Sequence, residues 1–569
     1  MSDSIKQHQP LNVVLYWHMH QPEYRDLRNG EYHQPWTYLH TIKDYVDMVA
    51  HLENNEKARA VVNFAPVLLE QIDDYAFQLG EYLHHGGALR DPLLSSLAGP
   101  ILTLDQENRI HILKSCLRAN KKRLVQRFET FNNLVKIGEE ALDKPQTLTY
   151  YSEQFFVDIL VWYHLAWMAE TVRNSDIRIK SLMKKAQHFT IHDRRSLVEV
   201  IYELISSVIS RYRRLAEQQR IELSMTPYAH PIVPLLLDLK STKQALPDAE
   251  MPVASEYPGG LERSQWHVKK AVEVFKKYFG SIPGGCWPSE GSISAETLEL
   301  LSEMDISWVA SGESVLQNSL KKSGVEVSGC LHEAYQYKNI GMTCFFRDDG
   351  LSDLIGFKYS DWHADDAVAN LVHHLEKIAE ECTHTPGAIV SIILDGENAW
   401  EYYPENGFYF ITALYKQLAE HENLKLTTYS EYLESHTEKK TLNDIVAGSW
   451  VYGTFSTWIG EKDKNRAWDM LVEAKNTYDR VIASGNLSDE EIVAAEMQLA
   501  TCESSDWFWW FGEYNSAESV SAFDEQYRLH LCNLYQLLKQ EPPEYLAHAF
   551  SFGTGNPLMG GTMLPGQQQ

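Results

Sequence analysis

The sequence predicts an α/β barrel elaborated by helices, and three observations carry that prediction. Short apolar runs recur along the chain, each followed by a polar or glycine-rich segment, which is how a barrel strand and the loop at its carboxyl end read. Stretches long enough for a helix separate most of these runs, the alternation of a parallel sheet covered on both faces. No Gly-x-Gly-x-x-Gly follows the first run, which removes the dinucleotide-binding form of the alternative, an open doubly wound sheet.

Taken in order, residues 12–16 (NVVLY) run into Trp17-His-Met-His-Gln-Pro22, and residues 60–64 (AVVNF) precede Ala65-Pro66. Residues 221–225 lead into Thr226-Pro-Tyr-Ala-His-Pro231, and 285–287 into Pro288-Ser-Glu-Gly-Ser292. Residues 306–310, 342–346, 388–394 (AIVSIIL) and 424–428 complete a set of eight runs. Between the second and third lies a segment, at about 70–220, that reads as a helical insertion. There Ile110, Leu113, Leu117, Leu124 and Phe128 keep helical spacing, with Lys121, Lys122 and Arg123 on a solvated face. The expected organisation is a catalytic barrel over 1–430 with this insertion, then a helical domain over 431–553 that contributes to the active-site cleft. In the latter, Ser488 and Glu491 form a capping box, and Phe523, Tyr527, Leu531, Leu534 and Leu538 form a helical stripe. Residues 554–569, rich in Gly, Pro and Gln, read as a disordered tail.

Composition narrows the function. A hydrophobic fraction of 44% with 23% charged residues is globular and excludes a disordered chain. The formal charge of −27 repels phosphate backbones and argues against nucleic acid while permitting a neutral substrate. The 15 Trp and 30 Tyr suit a surface that stacks on flat or apolar faces. No apolar stretch is long enough to span a membrane and the amino terminus lacks a secretory pattern. Cysteines 116, 286, 330, 344, 382, 502 and 532 are odd in number and scattered. They read as reduced, buried thiols, so a cytoplasmic location is expected.

Two carboxylates stand out because each ends an apolar strand beside an indole. Glu290 follows Pro288 and precedes Gly291, which presents it at a rigid corner. Asp395 directly follows Ile392-Ile-Leu394, and burial there would raise its pKa as a general acid requires. A lone carboxylate in such a place would more often cap the next helix. Two of them, each near tryptophan and glycine, point to the paired carboxyls of glycoside hydrolysis. His18 and His20, at i and i+2, would share a face of the first strand, as two sugar-hydroxyl ligands or a metal pair. The metal reading lacks local zinc spacing and needs a third ligand, from His230, Asp348, Asp349 or Asp395.

His20-Gln-Pro22, Trp287-Pro-Ser-Glu-Gly-Ser292 and Leu394-Asp-Gly-Glu-Asn-Ala-Trp400 resemble sequence regions of glycoside hydrolase family 57. Arg347-Asp-Asp-Gly-Leu-Ser-Asp-Leu-Ile-Gly-Phe357, Gly448-Ser-Trp450 with Phe455 and Trp458-Ile-Gly-Glu461, and Ser505-Asp-Trp-Phe-Trp-Trp-Phe-Gly512 extend the resemblance, from about residue 11 to about 540. Together they are similar to the α-amylase and amylopullulanase branch. The resemblance implies an incomplete (β/α)7 barrel, so one of the eight runs falls outside it, and a retaining mechanism on α-glucans such as glycogen, starch or maltodextrin. It implies Glu290 as nucleophile and Asp395 as general acid/base, roughly 5–5.5 Å apart. It puts His20, His230, Trp287, Glu397, Trp400 and Trp458 in or near the glucose subsites, and His18, Gln21, Asp353, Asn398, Trp450 and Trp507 complete the candidate substrate-binding set. No metal or organic cofactor is called for. The turn-like residues after Trp458 suggest that its indole projects outward over bound glucan. The alternatives are a 4-α-glucanotransferase or amylopullulanase on the same scaffold, a metal-dependent polysaccharide deacetylase using His18, His20 and an aspartate, and a non-catalytic glucan-binding protein.

Overall fold

The computed structural model describes residues 9–99, 105–325, 330–338 and 340–555. The expected tail at 554–569 lies almost wholly outside the described residues. Ten strands form one sheet: β1 (Leu11–Met19), β2 (Ala60–Phe64), β3 (Ile221–Met225), β4 (Gly285–Cys286), β5 (Trp308–Ser311), β6 (Tyr335–Tyr337), β7 (Thr343–Phe346), β8 (Ile389–Asp395), β9 (Leu424–Leu426) and β10 (Lys440–Leu442). Seven of them, in the order β8-β1-β2-β3-β4-β5-β7, run parallel and curl into a barrel. The seam between β7 and β8 is closed by a single parallel bridge, Arg347 with Ser391. This is the expected incomplete (β/α)7 arrangement. β1 and β8 are buried along their whole length, as strands covered on both faces must be.

All eight apolar runs are strands, and the one outside the barrel is β9. It pairs with β1 only at Leu11–Val13, whereas β2 pairs with β1 at Tyr16–Met19. β6 and β10 were not legible in the sequence. β6 runs antiparallel to β7, and β10 pairs with β6. At three residues each they are too short to carry a hydrophobic period.

The insertion between β2 and β3 is helical, from Pro66–His85 to the long helix Ile191–Glu217. The stripe from Ile110 to Phe128 is not one helix. The helix Gln106–Cys116 ends, and Asn120 caps a new π-helical turn by accepting from the Arg123 N–H at 3.0 Å. Arg123 is also drawn off the solvated face, donating to the carbonyls of Tyr402 and Ser360. Beyond β10 the capping box at Ser488 and Glu491 is present, and Phe523, Tyr527, Leu531, Leu534 and Leu538 are all buried. No described helix is long and apolar enough to cross a membrane.

One expectation about cysteine is overturned. Cys330 and Cys382 form a disulfide, while Cys116, Cys286, Cys344 and Cys502 are buried free thiols and Cys532 is half-buried. The pair is 52 residues apart in sequence. It joins the residues just before β6 to the C-terminal end of the helix Ala364–Glu381. The thiol argument for a reducing compartment therefore falls away.

Candidate active site

The carboxyl ends of β1, β2 and β8 set the floor. Register places His18 beside Asn63 on one side and Asp395 on the other. Asn63 Oδ1 lies 2.6 Å from His18 Nδ1, which assigns the ring proton to Nδ1 and leaves Nε2 as an acceptor. The expected shared face of His18 and His20 is present. Their rings stack at 5.7 Å, and His20 stacks on His230 at 3.9 Å. Burial, then the neighbouring imidazoles, pushes His18 down to about 3 and His230 well below its usual range. Both are neutral at physiological pH. At Gly396, after β8, a Cβ would sit 2.1 Å from Met19 Sδ, so any larger residue would have to displace the Met19 side chain.

Glu290 occupies a corner after β4 in the left-handed region, at φ 59° and ψ 26°. That conformation is costly for a residue with a Cβ and persists only where its surroundings fix it. Trp450 does the fixing. Its backbone N–H donates to the Glu290 carbonyl at 3.0 Å, and its Nε1–H donates to Glu290 Oε2 at 2.8 Å. Gly291 follows at φ 59°, where a Cβ would lie 2.9 Å from the Trp287 ring. His230 Nδ1 is 3.8 Å from Glu290 Oε1. Burial, then the charge of Asp395, holds the Glu290 carboxyl well above its usual range, with the Trp450 bond opposing. Asp395 is pushed up to about 6 by burial, against the Asn398 hydrogen bond (2.8 Å to Oδ2) and the positive charge of Arg347. Both carboxyls are thus raised by burial, and the charge of Asp395 adds to the rise at Glu290 while Asn398, His20 and Arg347 oppose it at Asp395.

The cleft over these groups has an empty volume of about 960 Å³, its open mouth included. His18, His20, Gln21, Glu290, Asp395, Glu397, Asn398 and Trp450 line it. Gln34 and Trp36 from the segment after β1, Arg118 from the helical insertion, and Asp506, Trp509, Trp510 and Phe523 from the C-terminal helices complete the lining. Glu397 Oε1 accepts from the His20 backbone N–H and from Gln21 Nε2, both at 3.2 Å. It therefore braces the floor from below.

Six residues of the expected set do not line the cleft. His230 and Trp287 are fully buried behind the lining, His230 under the His20 ring and Trp287 under Trp450 with ring centroids 5.2 Å apart. Trp400 packs against Trp17, and Trp507 donates to the Thr501 carbonyl within the helical core. Asp353 is taken by Arg347 Nη2 at 2.8 Å. Trp458 does not project outward. The turn after it exists, with Gly460 at φ 104°, but it turns the indole inward, beneath Trp509 at 5.8 Å. Trp468 is buried and donates to the Trp458 carbonyl at 3.0 Å.

Sequence reasoning passed over Asp506 and Ser505. Asp506 Oδ1 lies 2.8 Å from His20 Nε2, and Ser505 Oγ lies 2.8 Å from His230 Nδ1. Their motif is rich in tryptophan, and nothing local in it tells that this corner reaches the barrel, across 486 and 275 residues of chain. His20, His230 and Asp506 bring one ligand atom each within 4.8 Å of one another. The two imidazoles lie face to face, 17° from parallel, so their in-plane lone pairs run side by side and do not converge on one ion. His18 belongs to no cluster of three potential ligand atoms among the described residues.

The model of glycosyl hydrolase family 57 matches residues 14–447. The chain belongs to this family. It is accordingly an enzyme of the family 57 glycoside hydrolase type. Solved structures share the fold at low identity. A branching enzyme from Thermococcus kodakaraensis, in complex with glucose, is 13% identical with a TM-score of 0.56, covering 93% of this chain and 90% of its own. An α-amylase from Thermotoga maritima is 13% identical with a TM-score of 0.57, covering 95% of each chain. A 4-α-glucanotransferase from Thermococcus litoralis is 13% identical with a TM-score of 0.51, covering 94% of this chain and 61% of its own. Among curated proteins, none matches significantly by sequence.

Proposed function

We propose that this family 57 chain cleaves α-1,4-linked glucans with retention of configuration, through a glycosyl-enzyme on Glu290. The observation that carries the reading is the carboxyl pair itself. Glu290 and Asp395 arrive from the ends of β4 and β8, line the same cleft, and have carboxyls raised by burial, that of Glu290 further by the charge of Asp395. In the first step Asp395 donates its proton to the glycosidic oxygen. Glu290 Oε1, whose partner oxygen Trp450 holds, attacks the anomeric carbon, and the leaving sugar departs as an alcohol. In the second step Asp395, now a carboxylate, takes a proton from the attacking hydroxyl, which displaces Glu290. His18 Nε2, Gln21 and Asn398 are placed to fix sugar hydroxyls, and Trp36, Trp509 and Trp510 offer faces for stacking.

The printed activities of the structural neighbours, amylase, branching and 4-α-glucan transfer, agree on α-glucans. Hydrolysis is the principal reading. Transfer to a sugar hydroxyl is the second, favoured by the aromatic wall that faces the carboxyls and could seat an acceptor. In this reading the barrel unit over 1–430 and the helical unit over 431–553 work together, the latter supplying Trp450 and Asp506.

The test is a product profile from maltoheptaose and from pullulan, with proton NMR of the earliest product. Shorter maltooligosaccharides released as the α-anomer support the hydrolytic reading. Longer oligosaccharides without reducing-end gain assign transfer, and cleavage of pullulan at α-1,6 bonds assigns the amylopullulanase form. Release of the β-anomer overturns retention, and no turnover of either glucan overturns the substrate class.

A further inference from the structure

The barrel seam carries a second chemical cluster, away from the cleft. Where β7 and β8 meet through one bridge, the segment before β6 lies along the join. The His332 carbonyl accepts from the Ile389 N–H at the start of β8, at 2.9 Å. Cys330, two residues earlier, is tied to Cys382 at the end of the helix that precedes β8. One ring nitrogen of His332 and the two sulfurs lie within 4.8 Å of one another. His332 Nε2 is 2.9 Å from Asp348 Oδ2, at the carboxyl end of β7. A carboxylate there holds the imidazole proton on Nε2 and leaves the Nδ1 lone pair free, the outer-shell arrangement that supports a metal-ligating histidine.

We propose that Cys330, Cys382 and His332 Nδ1 form a zinc site when the disulfide is reduced, so that disulfide and metal are alternative clasps on the same seam. Two thiolates and one imidazole are a soft donor set that suits zinc and not magnesium or calcium. The two thiolate charges neutralise the ion, and a fourth, tetrahedral position is left for water. Sulfurs that share a zinc stand about 3.8 Å apart, a separation that side-chain rotation provides once the S–S bond is gone. The step balances with a dithiol reductant, which gives two electrons and two protons to the disulfide and is itself oxidised to a disulfide. Zinc binding then releases the two thiol protons to solvent, with no change in the oxidation state of the metal.

The experiment uses the full-length protein, reduced with a phosphine without oxygen, desalted, and loaded with zinc or with cobalt as its spectroscopic stand-in. Reduced protein should hold one equivalent of zinc, and the cobalt form should show a thiolate-to-cobalt charge-transfer band with strong tetrahedral visible absorption. Oxidised protein should hold none, and Cys382→Ser should lose the band. Asp348→Asn should keep the band and weaken zinc binding by roughly 10–100-fold. The cobalt spectrum of the unaltered protein needs no variant to fold. The proposal is overturned if reduced protein holds no stoichiometric metal, or if oxidised protein holds as much. It also fails if cobalt binds without a thiolate band, as binding at His20 and Asp506 would give, or if thiol counting finds that the native disulfide resists the phosphine.

Discussion

Glu290, half-buried, and Glu503, fully buried, are glutamates in contact with groups of both the barrel and the C-terminal region, and their surroundings push them in opposite directions. Glu503 accepts two bonds from Arg263, one from His267 Nε2 at 2.7 Å and one from the Tyr257 hydroxyl. Burial raises its pKa, but the Arg263 charge and the His267 bond outweigh that and hold it far below the usual carboxylate range. Glu290 has burial, the charge of Asp395 and one indole N–H, and it goes up. A buried carboxylate with a cation is a tether; one beside another carboxylate is a reagent. The two are also linked along the chain. Glu503 ends a helix, and the next residues, Ser505 and Asp506, reach His230 and His20 in the cleft.

The largest expected effect falls on the reagent. Glu290→Gln should lower kcat by on the order of 10⁴-fold or more while the melting temperature stays level or rises, because a repelled buried charge has been removed. Azide should restore turnover to Glu290→Ala. Near-normal rates in Glu290→Gln would move the assignment to Glu397.

Glu503→Gln should invert that pattern, costing about 3–5 kcal/mol by leaving Arg263 buried without its partner, with the surviving folded enzyme still active. The sign with pH follows from the depressed pKa. The tether stabilises above the ordinary carboxylate range, about 4.3, and that stabilisation is lost as pH falls through the folded value. Denaturation across acidic pH should therefore slope in the parent more than in Glu503→Gln. Equal slopes would break the comparison.

Two tryptophans sharpen it from the other side. Trp458→Ala, which removes a wholly buried ring, should cost about 3–5 kcal/mol of stability. Trp509→Ala, on the cleft wall above it, should leave the melting temperature nearly unchanged and weaken glucan binding by about 1 kcal/mol. Calorimetry and titration on the same preparations decide, and exchanged phenotypes would mean that the indoles exchange places in solution.

The smallest effect is a shift of profile. Asn398→Ala removes the hydrogen bond that opposes the raised pKa of Asp395. Its pKa should rise from about 6, and the alkaline limb of kcat/KM, where Asp395 loses the proton it must donate, should move to higher pH. A shift toward acid would show that another group sets that limb.

The sequence alone determined the strand runs, the insertion between β2 and β3, the Ser488–Glu491 cap and the two carboxylates. Each is written in residues a few positions apart, where periodicity, Pro–Gly corners and burial of neighbours act locally. Only the tertiary structure decided which indoles face the cleft. Trp458 and Trp509 are both Trp beside a turn or helix end, and their difference lies in what packs above them. The same holds for Asp506 and for Cys330 with Cys382, whose partners stand 486 and 52 residues away in the chain. Contacts across such separations are fixed by how the barrel curls and where the helices dock, and no local pattern of residue types encodes them.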